Sequence, residues 1–218
     1  MQTLGAWLIM LAVLVVPYGW AGWLSTRGGR PFDRLLALTL TPGLAIGSLT
    51  LIMFWESLLG VPLTVLDIIR PYAALHAIGL VLWWRQPASQ ATPLRTHFSS
   101  HWLGRLAALA VLGICIATLF NAVYWPFSRD DTLGIYPPQA VEIANRAALL
   151  PLTGPDSLYL AYPMQIQLAY AFTYIASGWE NAYLARVLPA LLSIGAMAAT
   201  YLVGRAVHGK LAGWMGML

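Results

Sequence analysis

Four long stretches of the chain contain no charged residue, and they constrain its fold more than any other feature. They are residues 4–24, 35–55, 106–127 and 187–204. Each is close to the ~20 residues that an α-helix needs to cross a bilayer. A fifth apolar run, residues 71–84, reaches that length when it is extended back to residue 65. The sequence therefore predicts an all-α integral membrane protein with five transmembrane helices.

The composition excludes several other classes of protein. Only 9% of the residues are charged, whereas a soluble domain has about 25%. The net charge is +4, but the basic residues are scattered at the ends of the apolar runs and form no stripe, so nucleic acid is not an expected partner. The lone Cys115 lies inside an apolar run, which leaves no disulfide framework and no thiolate metal site.

The distribution of arginine predicts the orientation of the chain in the membrane. Basic residues follow the first and third apolar runs, at Arg27, Arg30, Arg34, Arg85, Arg95 and Arg105. Loops of this kind face the cytoplasm, so we expect the N-terminus and the loop after the fourth span on the outer side of the plasma (inner) membrane. Most of the acidic residues then lie outside, namely Glu56, Asp67, Asp130, Asp131, Glu142, Asp156 and Glu180.

Changes in composition predict three parts of the chain. Residues 1–85 form an N-terminal three-span module, and residues 86–103 form a cytoplasmic linker that mixes Pro, Ser, Thr, Gln and Arg without periodicity. Residues 104–218 form the third part, with an external loop at 128–185. A new apolar run starts at Leu211 and stops after eight residues, so we expect the sequence to be the N-terminal fragment of a longer protein.

The external loop is predicted to contain two helices that lie along the membrane interface. The first starts at Pro138 and reaches Leu150. Its polar side carries Gln139, Glu142, Asn145 and Arg146 at helical spacing, and Glu142 and Arg146 form a favourable i, i+4 pair.

Residues 163–178 form the second of these helices. The run is apolar, but sixteen helical residues cover only ~24 Å of a ~30 Å hydrocarbon core. A crossing here would also place Arg205 and Lys210 outside, against the charge bias.

The order of motifs in the second half of the chain resembles a known superfamily. The fourth span is followed at once by Asp130-Asp131, then by the first interfacial helix, Tyr162-Pro163, Arg186 at the start of the next span, and a short basic turn. Residues 105–218 resemble the N-terminal part of the GT-C glycosyltransferases, which include protein mannosyltransferases (glycosyltransferase family 39) and the aminoarabinose transferase of lipid A. Met164 stands where that family has a second Pro, and the first three spans lie outside the resemblance.

The resemblance implies transfer of a sugar from a polyprenyl-phosphate carrier to a glycan, lipid or protein acceptor at the extracytoplasmic face. A sugar hydroxyl is a poor nucleophile until a base takes its proton, and the resemblance implies Asp130 as that base. Asp131 would support that base or face a divalent metal, which is the one cofactor that the hypothesis includes. The implied substrate-binding residues are Tyr162, Pro163, Arg186 and Arg146. Two of these have alternative roles: Arg146 as the surface partner of Glu142, and Arg186 as a side chain that extends from a span end.

An alternative hypothesis is a transporter or lipid-flipping protein. Charged and ionisable residues near the third span, Glu56, Asp67, Arg70 and His76, would line its pathway. Asp67 and Arg70 are three residues apart and most simply pair with each other, and a hydrogen-bonded core histidine is the simpler interpretation of His76. The chain shows no inverted repeat of the kind that transporters often have. A non-catalytic membrane scaffold is the third hypothesis.

Overall fold

A computed structural model describes residues 2–27, 32–86, 102–124, 135–149 and 164–218. These residues form nine α-helices and contain no β-strand. In chain order the helices are α1 (Gln2–Val15), α2 (Tyr18–Thr26), α3 (Arg34–Leu58), α4 (Val65–Trp84), α5 (Trp102–Tyr124), α6 (Tyr136–Arg146), α7 (Gln165–Ser177), α8 (Ala182–His208) and α9 (Lys210–Met217). The prediction of an all-α fold is confirmed for the described residues.

Five segments of the described chain are long and apolar enough to cross a membrane. They are Leu4–Thr26, which comprises α1 and α2, and the helices α3, α4, α5 and α8. The number of predicted spans is therefore confirmed by length and composition. Two of the helices begin earlier than predicted, which places Arg105 near the start of α5 and Arg186 in the second turn of α8. Long arginine side chains can extend from such positions toward water.

Two contacts define the ends of the helix bundle. At one end, which we name the basic end, Arg205 of α8 forms an ion pair with Asp33, the N-cap of α3, with 2.8 Å between Nη2 and Oδ2. At the other, which we name the loop end, Leu63 between α3 and α4 donates its N–H to the carbonyl of Ala147 after α6 (2.8 Å). Helix α6 therefore lies where α3 turns into α4, and α8 ends where α3 begins.

Helix α7 does not carry the chain across the bundle. The segment after α6 lies at the loop end, where the N–H of Leu149 donates to Ser57 Oγ of α3 (2.7 Å). Helix α8 has 27 residues and ends at the basic end. It is ~40 Å long, so it begins at the loop end. With 13 residues and a length of ~20 Å, α7 is not an additional span, in agreement with the sequence prediction.

The surroundings of α7 differ from those predicted. The sequence indicated a helix along the membrane interface, but all the residues 167–174 are buried. Helix α7 contacts α1, α3, α6 and α8. A helix that is apolar on every side is enclosed by other elements, and the protein itself encloses this one.

The hydrophobic core lies at the loop end and joins both halves of the chain. Its buried side chains include Met10 of α1, Leu49 of α3, Ile68 of α4, Ile143 of α6, Phe172 of α7 and Leu184 of α8. The predicted module 1–85 thus shares one core with residues from 104–218. The predicted linker 86–103 falls almost entirely outside the described residues, and the division of the chain into modules stays a prediction.

Helix α6 is shorter than predicted and turns a different face to the core. It ends at Arg146, because Ala147 adopts the left-handed conformation (φ 50°), while Leu150 lies outside the described residues. The placement of Gln139 on the polar face was wrong: this side chain is buried beside Ala140 and Ile143. Positions i, i+1 and i+4 share one side of a helix, so Gln139 turns inward with its apolar neighbours.

Helices α8 and α9 form a tight hairpin around Gly209, whose φ of 86° favours glycine. Two further glycines let the helices approach. A Cβ on Gly204 would lie 2.9 Å from the carbonyl oxygen of Ala212, and a Cβ on Gly213 would lie 2.8 Å from that of Tyr201. A turn was predicted over residues 205–210; the chain turns within this segment but at Gly209 alone, because α8 continues through His208 and α9 begins at Lys210.

Candidate functional site

Four of the predicted site residues lie outside the described part of the chain. Asp130 and Asp131 belong to residues 125–134, and Tyr162 and Pro163 belong to residues 150–163. Their predicted roles are therefore untested. The elements that flank them in sequence are described, since α5 ends at Tyr124 before the acidic pair and α6 begins after it.

Arg186 contacts the helix that precedes the acidic pair. The side chain lies in the second turn of α8, and Asn181 fixes where that helix begins by accepting a hydrogen bond from the N–H of Leu184 (3.0 Å). Arg186 Nη2 donates to Asn121 Oδ1 near the end of α5 (3.1 Å). A half-buried guanidinium is thereby held beside the last turn of α5, three residues before Tyr124.

Arg146 is engaged on the surface of α6. Its guanidinium forms an ion pair with Glu142 one turn earlier, and both side chains are nearly half exposed. The predicted pairing of these two residues is confirmed. An exposed i, i+4 pair contributes only about 0.3–0.5 kcal/mol, so the pairing leaves Arg146 available for other contacts at low cost.

One face of α7 carries polar and aromatic side chains into the protein interior. Gln167, Tyr170 and Tyr174 follow each other at i, i+3 and i+7, which places them along one side of the helix. All three are buried. Gln167 Nε2 donates to Oε1 of the buried Gln139 on α6 (3.1 Å). The spacing of these residues inside an apolar run was the available sequence signal, and the interfacial interpretation missed it.

Tyr170 connects this face of α7 to Arg186. Burial raises the pKa of its phenol to about 12. The positive charge of Arg186 opposes this rise and Tyr136 of α6 adds to it, so both groups lie near Tyr170. Side chains from α6 and α8 thus act electrostatically on one phenol of α7 at the loop end. This group of residues, Tyr136, Gln139, Gln167, Tyr170 and Arg186, is the candidate site.

The two buried amides of the site retain unused hydrogen-bonding capacity. Among the described residues, neither Gln139 Nε2 nor Gln167 Oε1 has a partner. The free Nε2 of Gln139 is a donor, and the free Oε1 of Gln167 is an acceptor. If the N and O assignments of both amides are exchanged, one donor and one acceptor are still left without a partner. An unsatisfied buried polar atom costs about 1–3 kcal/mol.

Three of the four residues of the transporter hypothesis make local contacts, whereas the buried Oε2 of Glu56 has no partner among the described residues. His76 is buried and its Nε2 lies 2.9 Å from Ser48 Oγ, as predicted for a hydrogen-bonded core histidine. Arg70 Nη1 and Asp67 Oδ1 lie 3.9 Å apart, which confirms the predicted pairing of these two residues. Asp67 also accepts a hydrogen bond from the hydroxyl of Thr64 (2.6 Å).

No group of three or more His, Cys, Asp or Glu side chains in the described residues could hold a metal ion. Asp131, the residue proposed to face a metal, lies outside those residues.

Comparisons of the chain with family models, with curated proteins and with solved structures give no match. The functional proposal therefore draws on the sequence motifs and on the geometry of the loop end.

Proposed function

We propose that the protein is a glycosyltransferase of the GT-C type. It moves a sugar from a polyprenyl-phosphate carrier to a glycan, lipid or protein acceptor, and the acidic pair Asp130-Asp131 carries the chemistry. The loop end faces the outside of the plasma membrane, because the arginines after the first and third spans hold the opposite end in the cytoplasm. The carrier is itself a membrane lipid, so the reaction takes place at the bilayer surface.

The observation that supports this proposal most is the hydrogen bond between Arg186 and Asn121. It joins the start of α8 to the end of α5, the helix that leads into the acidic pair. A transferase for a lipid-phosphate donor needs a cation and a carboxylate near one end of its spans. Arg186 supplies the cation, and the sequence supplies two carboxylates within ten residues of Asn121.

The proposed reaction is a substitution at the anomeric carbon of the donor sugar. The acceptor hydroxyl attacks this carbon while Asp130 takes its proton. A new C–O bond to the acceptor forms, and the bond from the anomeric carbon to the phosphate oxygen breaks with its electron pair. The guanidinium of Arg186 stabilises the polyprenyl phosphate that leaves, since planar N–H donors bind phosphate oxygens well.

The remaining residues have supporting roles in this proposal. Asp131 orients Asp130 or faces a divalent metal, and Tyr162 and Pro163 lead into α7, the helix that carries Gln167 and Tyr170. Arg146 is the second cation that can meet a phosphate oxygen, at the cost of its exposed pairing with Glu142.

Transfer of radiolabelled sugar from polyprenyl phosphate to endogenous acceptor, measured in membranes that contain the full-length protein, tests the proposal. Transfer should depend on Asp130 and on Arg186. Absence of transfer from every polyprenyl-phosphate sugar supplied would contradict it.

The transporter hypothesis has weaker support. Three of its four proposed pathway residues are engaged locally, His76 by Ser48 and Asp67 by Arg70 and Thr64. The buried Oε2 of the fourth, Glu56, has no partner among the described residues. A substrate pathway needs polar groups that can exchange partners with the cargo. Uptake or flipping that is lost in His76→Ala while sugar transfer is absent would favour it.

A further inference from the structure

A cavity of about 430 Å³ opens at the loop end. It lies between the start of α4, the second half of α6 and the C-terminal end of α7. This volume is within the range of about 300–1,000 Å³ that is usual for small-molecule sites. Of the residues assigned to the transfer reaction, Arg146 and Arg186 lie in the described part of the chain, and neither lines the cavity.

The walls of the cavity divide into an apolar and a polar part. Val65, Val141 and Ile175 line the apolar part. Asn145, Tyr174, Trp179 and Glu180 supply an amide, a phenol, an indole and a carboxylate.

The turn after α7 brings the indole and the carboxylate to the cavity. Gly178 ends α7 in the left-handed conformation (φ 71°), and its N–H donates to the carbonyl of Tyr174 (2.8 Å). This is a common way for a helix to end, and it favours a residue without a Cβ. Trp179 and Glu180 follow Gly178 and line the cavity together with Tyr174 before α8 begins.

The charge of the cavity disfavours an anionic ligand. Among the described residues, eleven line the cavity, and they include one acid, Glu180, and no Lys or Arg. A phosphate group would meet the carboxylate of Glu180, and no described residue of the lining supplies a cation to balance the repulsion between the two anions. The lipid phosphate of a donor therefore does not bind in this cavity.

The polar groups of the cavity also disfavour a simple cation. A carboxylate only accepts hydrogen bonds, but the amide of Asn145 both donates and accepts. Tyr174 is buried, and its phenolic oxygen has no partner among the described residues. Its pKa is raised by burial and, to a smaller extent, by the charge of Glu180, so it remains a donor. An ammonium ion, which only donates, would leave donors of the site unpaired.

We propose that this cavity binds one neutral sugar unit of the acceptor, with a ring face against Trp179 and hydroxyl groups on Glu180 and Asn145. Sugar hydroxyls both donate and accept, and the C–H face of a sugar ring packs on an aromatic ring. The assignment of this sugar to the acceptor rests on the proposed transfer reaction. Binding of the sugar itself does not require transfer.

Binding can be measured with the purified full-length Asp130→Asn protein in detergent, which separates recognition from transfer. The probes are the methyl glycosides of glucose, galactose, mannose, N-acetylglucosamine and arabinose, with choline and inorganic phosphate as the charged comparisons. We expect saturable binding of at least one glycoside, detected by ligand-observed NMR, and neither charged probe should compete with it.

Two substitutions in the cavity and two outside it test the assignment. Glu180→Gln and Trp179→Ala should weaken glycoside binding roughly tenfold or more. Glu142→Gln and Trp84→Ala change exposed side chains that do not line the cavity, and they should leave binding unchanged. The thermal unfolding of each variant shows whether it is folded.

Three outcomes would overturn the proposal: no saturable binding of any glycoside, preference for choline or phosphate, or equal glycoside binding in the cavity variants. The outcome for the enzyme is separate. Glycoside binding without any transfer by the wild-type protein would support the sugar site in the cavity and contradict the proposed reaction. Transfer without glycoside binding would support the reaction and contradict the sugar site.

Discussion

Arg205 and Asp33 form an ion pair across 172 positions of sequence, with 2.8 Å between Nη2 and Oδ2. The carboxylate of Asp33 also caps α3, because its Oδ1 accepts from the N–H groups of Leu35 (2.9 Å) and Leu36 (3.1 Å). One side chain therefore starts a helix and anchors the end of another. The contact fixes the direction of α8 relative to α3.

Substitutions at Asp33 should separate these two roles. Asn keeps the capping oxygen but loses the charge, so Asp33→Asn should destabilise the protein by about 1 kcal/mol or less, since the pair is about 30% exposed. Asp33→Ala loses the cap as well and should cost about 0.5–2 kcal/mol more. Thermal unfolding in detergent, with Arg205→Gln to complete a double-mutant cycle, gives the two values. Equal effects of Asn and Ala would show that capping contributes nothing.

The side of the membrane that each end faces can be tested by cysteine labelling. Ser157 lies in the sequence between α6 and α7, which belong to the loop end, and Ser89 follows α4, which begins at the loop end and runs away from it. In a Cys115→Ser background, an impermeant thiol reagent added to intact cells should label Ser157→Cys and not Ser89→Cys, because basic loops are retained in the cytoplasm. Labelling of Ser89→Cys alone would reverse the orientation and place the acidic pair inside the cell.

The spans were predictable from sequence because charge is so costly in hydrocarbon that runs without charge mark them. The pairing of Glu142 with Arg146 and of Asp67 with Arg70 was predictable for a similar reason, since spacing within one helix fixes which side chains are neighbours. Both kinds of inference use only local sequence.

The buried face of α7 was not predictable in the same way. Gln139 and Gln167 are 28 positions apart, and a polar residue in either helix is compatible with water, with the interface or with a buried partner. Only the packing of α6 against α7 shows that each amide faces the other. The participation of α1 in this core was not predictable either, because no sequence motif indicates that Met10 shares a core with residues of α7.

Replacement of the buried amides should show whether they serve function more than stability. Gln167→Met leaves Gln139 without its partner and should destabilise the protein by about 1–3 kcal/mol. The double variant Gln139→Met and Gln167→Met removes both polar groups and should recover most of that loss. Unfolding and sugar transfer are measured together. A stable double variant with reduced transfer would support the candidate site, whereas one with wild-type transfer would remove the amides from it.

Tyr170 should make the protein less stable at high pH. Its pKa is about 12 in the folded protein, against an ordinary value of 10.0, chiefly because it is buried. Below pH ~10 the phenol is protonated in both the folded and the unfolded state. Between pH ~10 and ~12 only the unfolded state loses the proton, so the free energy of unfolding should fall by about 2–3 kcal/mol. Chemical unfolding of Tyr170→Phe across this range should show a smaller fall. An identical fall in the variant would contradict the prediction.

Replacement of Asp130 is the direct test of the proposed chemistry. Asp130→Asn keeps the size of the side chain and its capacity for hydrogen bonds but removes the basic oxygen. Loss of a general base typically lowers the rate by 10²–10⁴-fold, or roughly 3–5 kcal/mol of barrier. The full-length variant should insert normally and lose most of its transfer of radiolabelled sugar, at an expression level matched to wild type.

Asp131→Asn is the matched control for Asp130→Asn, because it removes the same charge from the adjacent position. Neighbouring side chains cannot both point at one atom, so the control should lose less transfer than Asp130→Asn unless Asp131 binds a metal. If Asp131 does bind a metal, removal of that metal by a chelator should lower transfer by the wild-type protein to the level of Asp131→Asn. Transfer by Asp130→Asn within a few-fold of wild type would exclude this carboxylate as the base. The chain would then lose the main reason for its assignment as an enzyme.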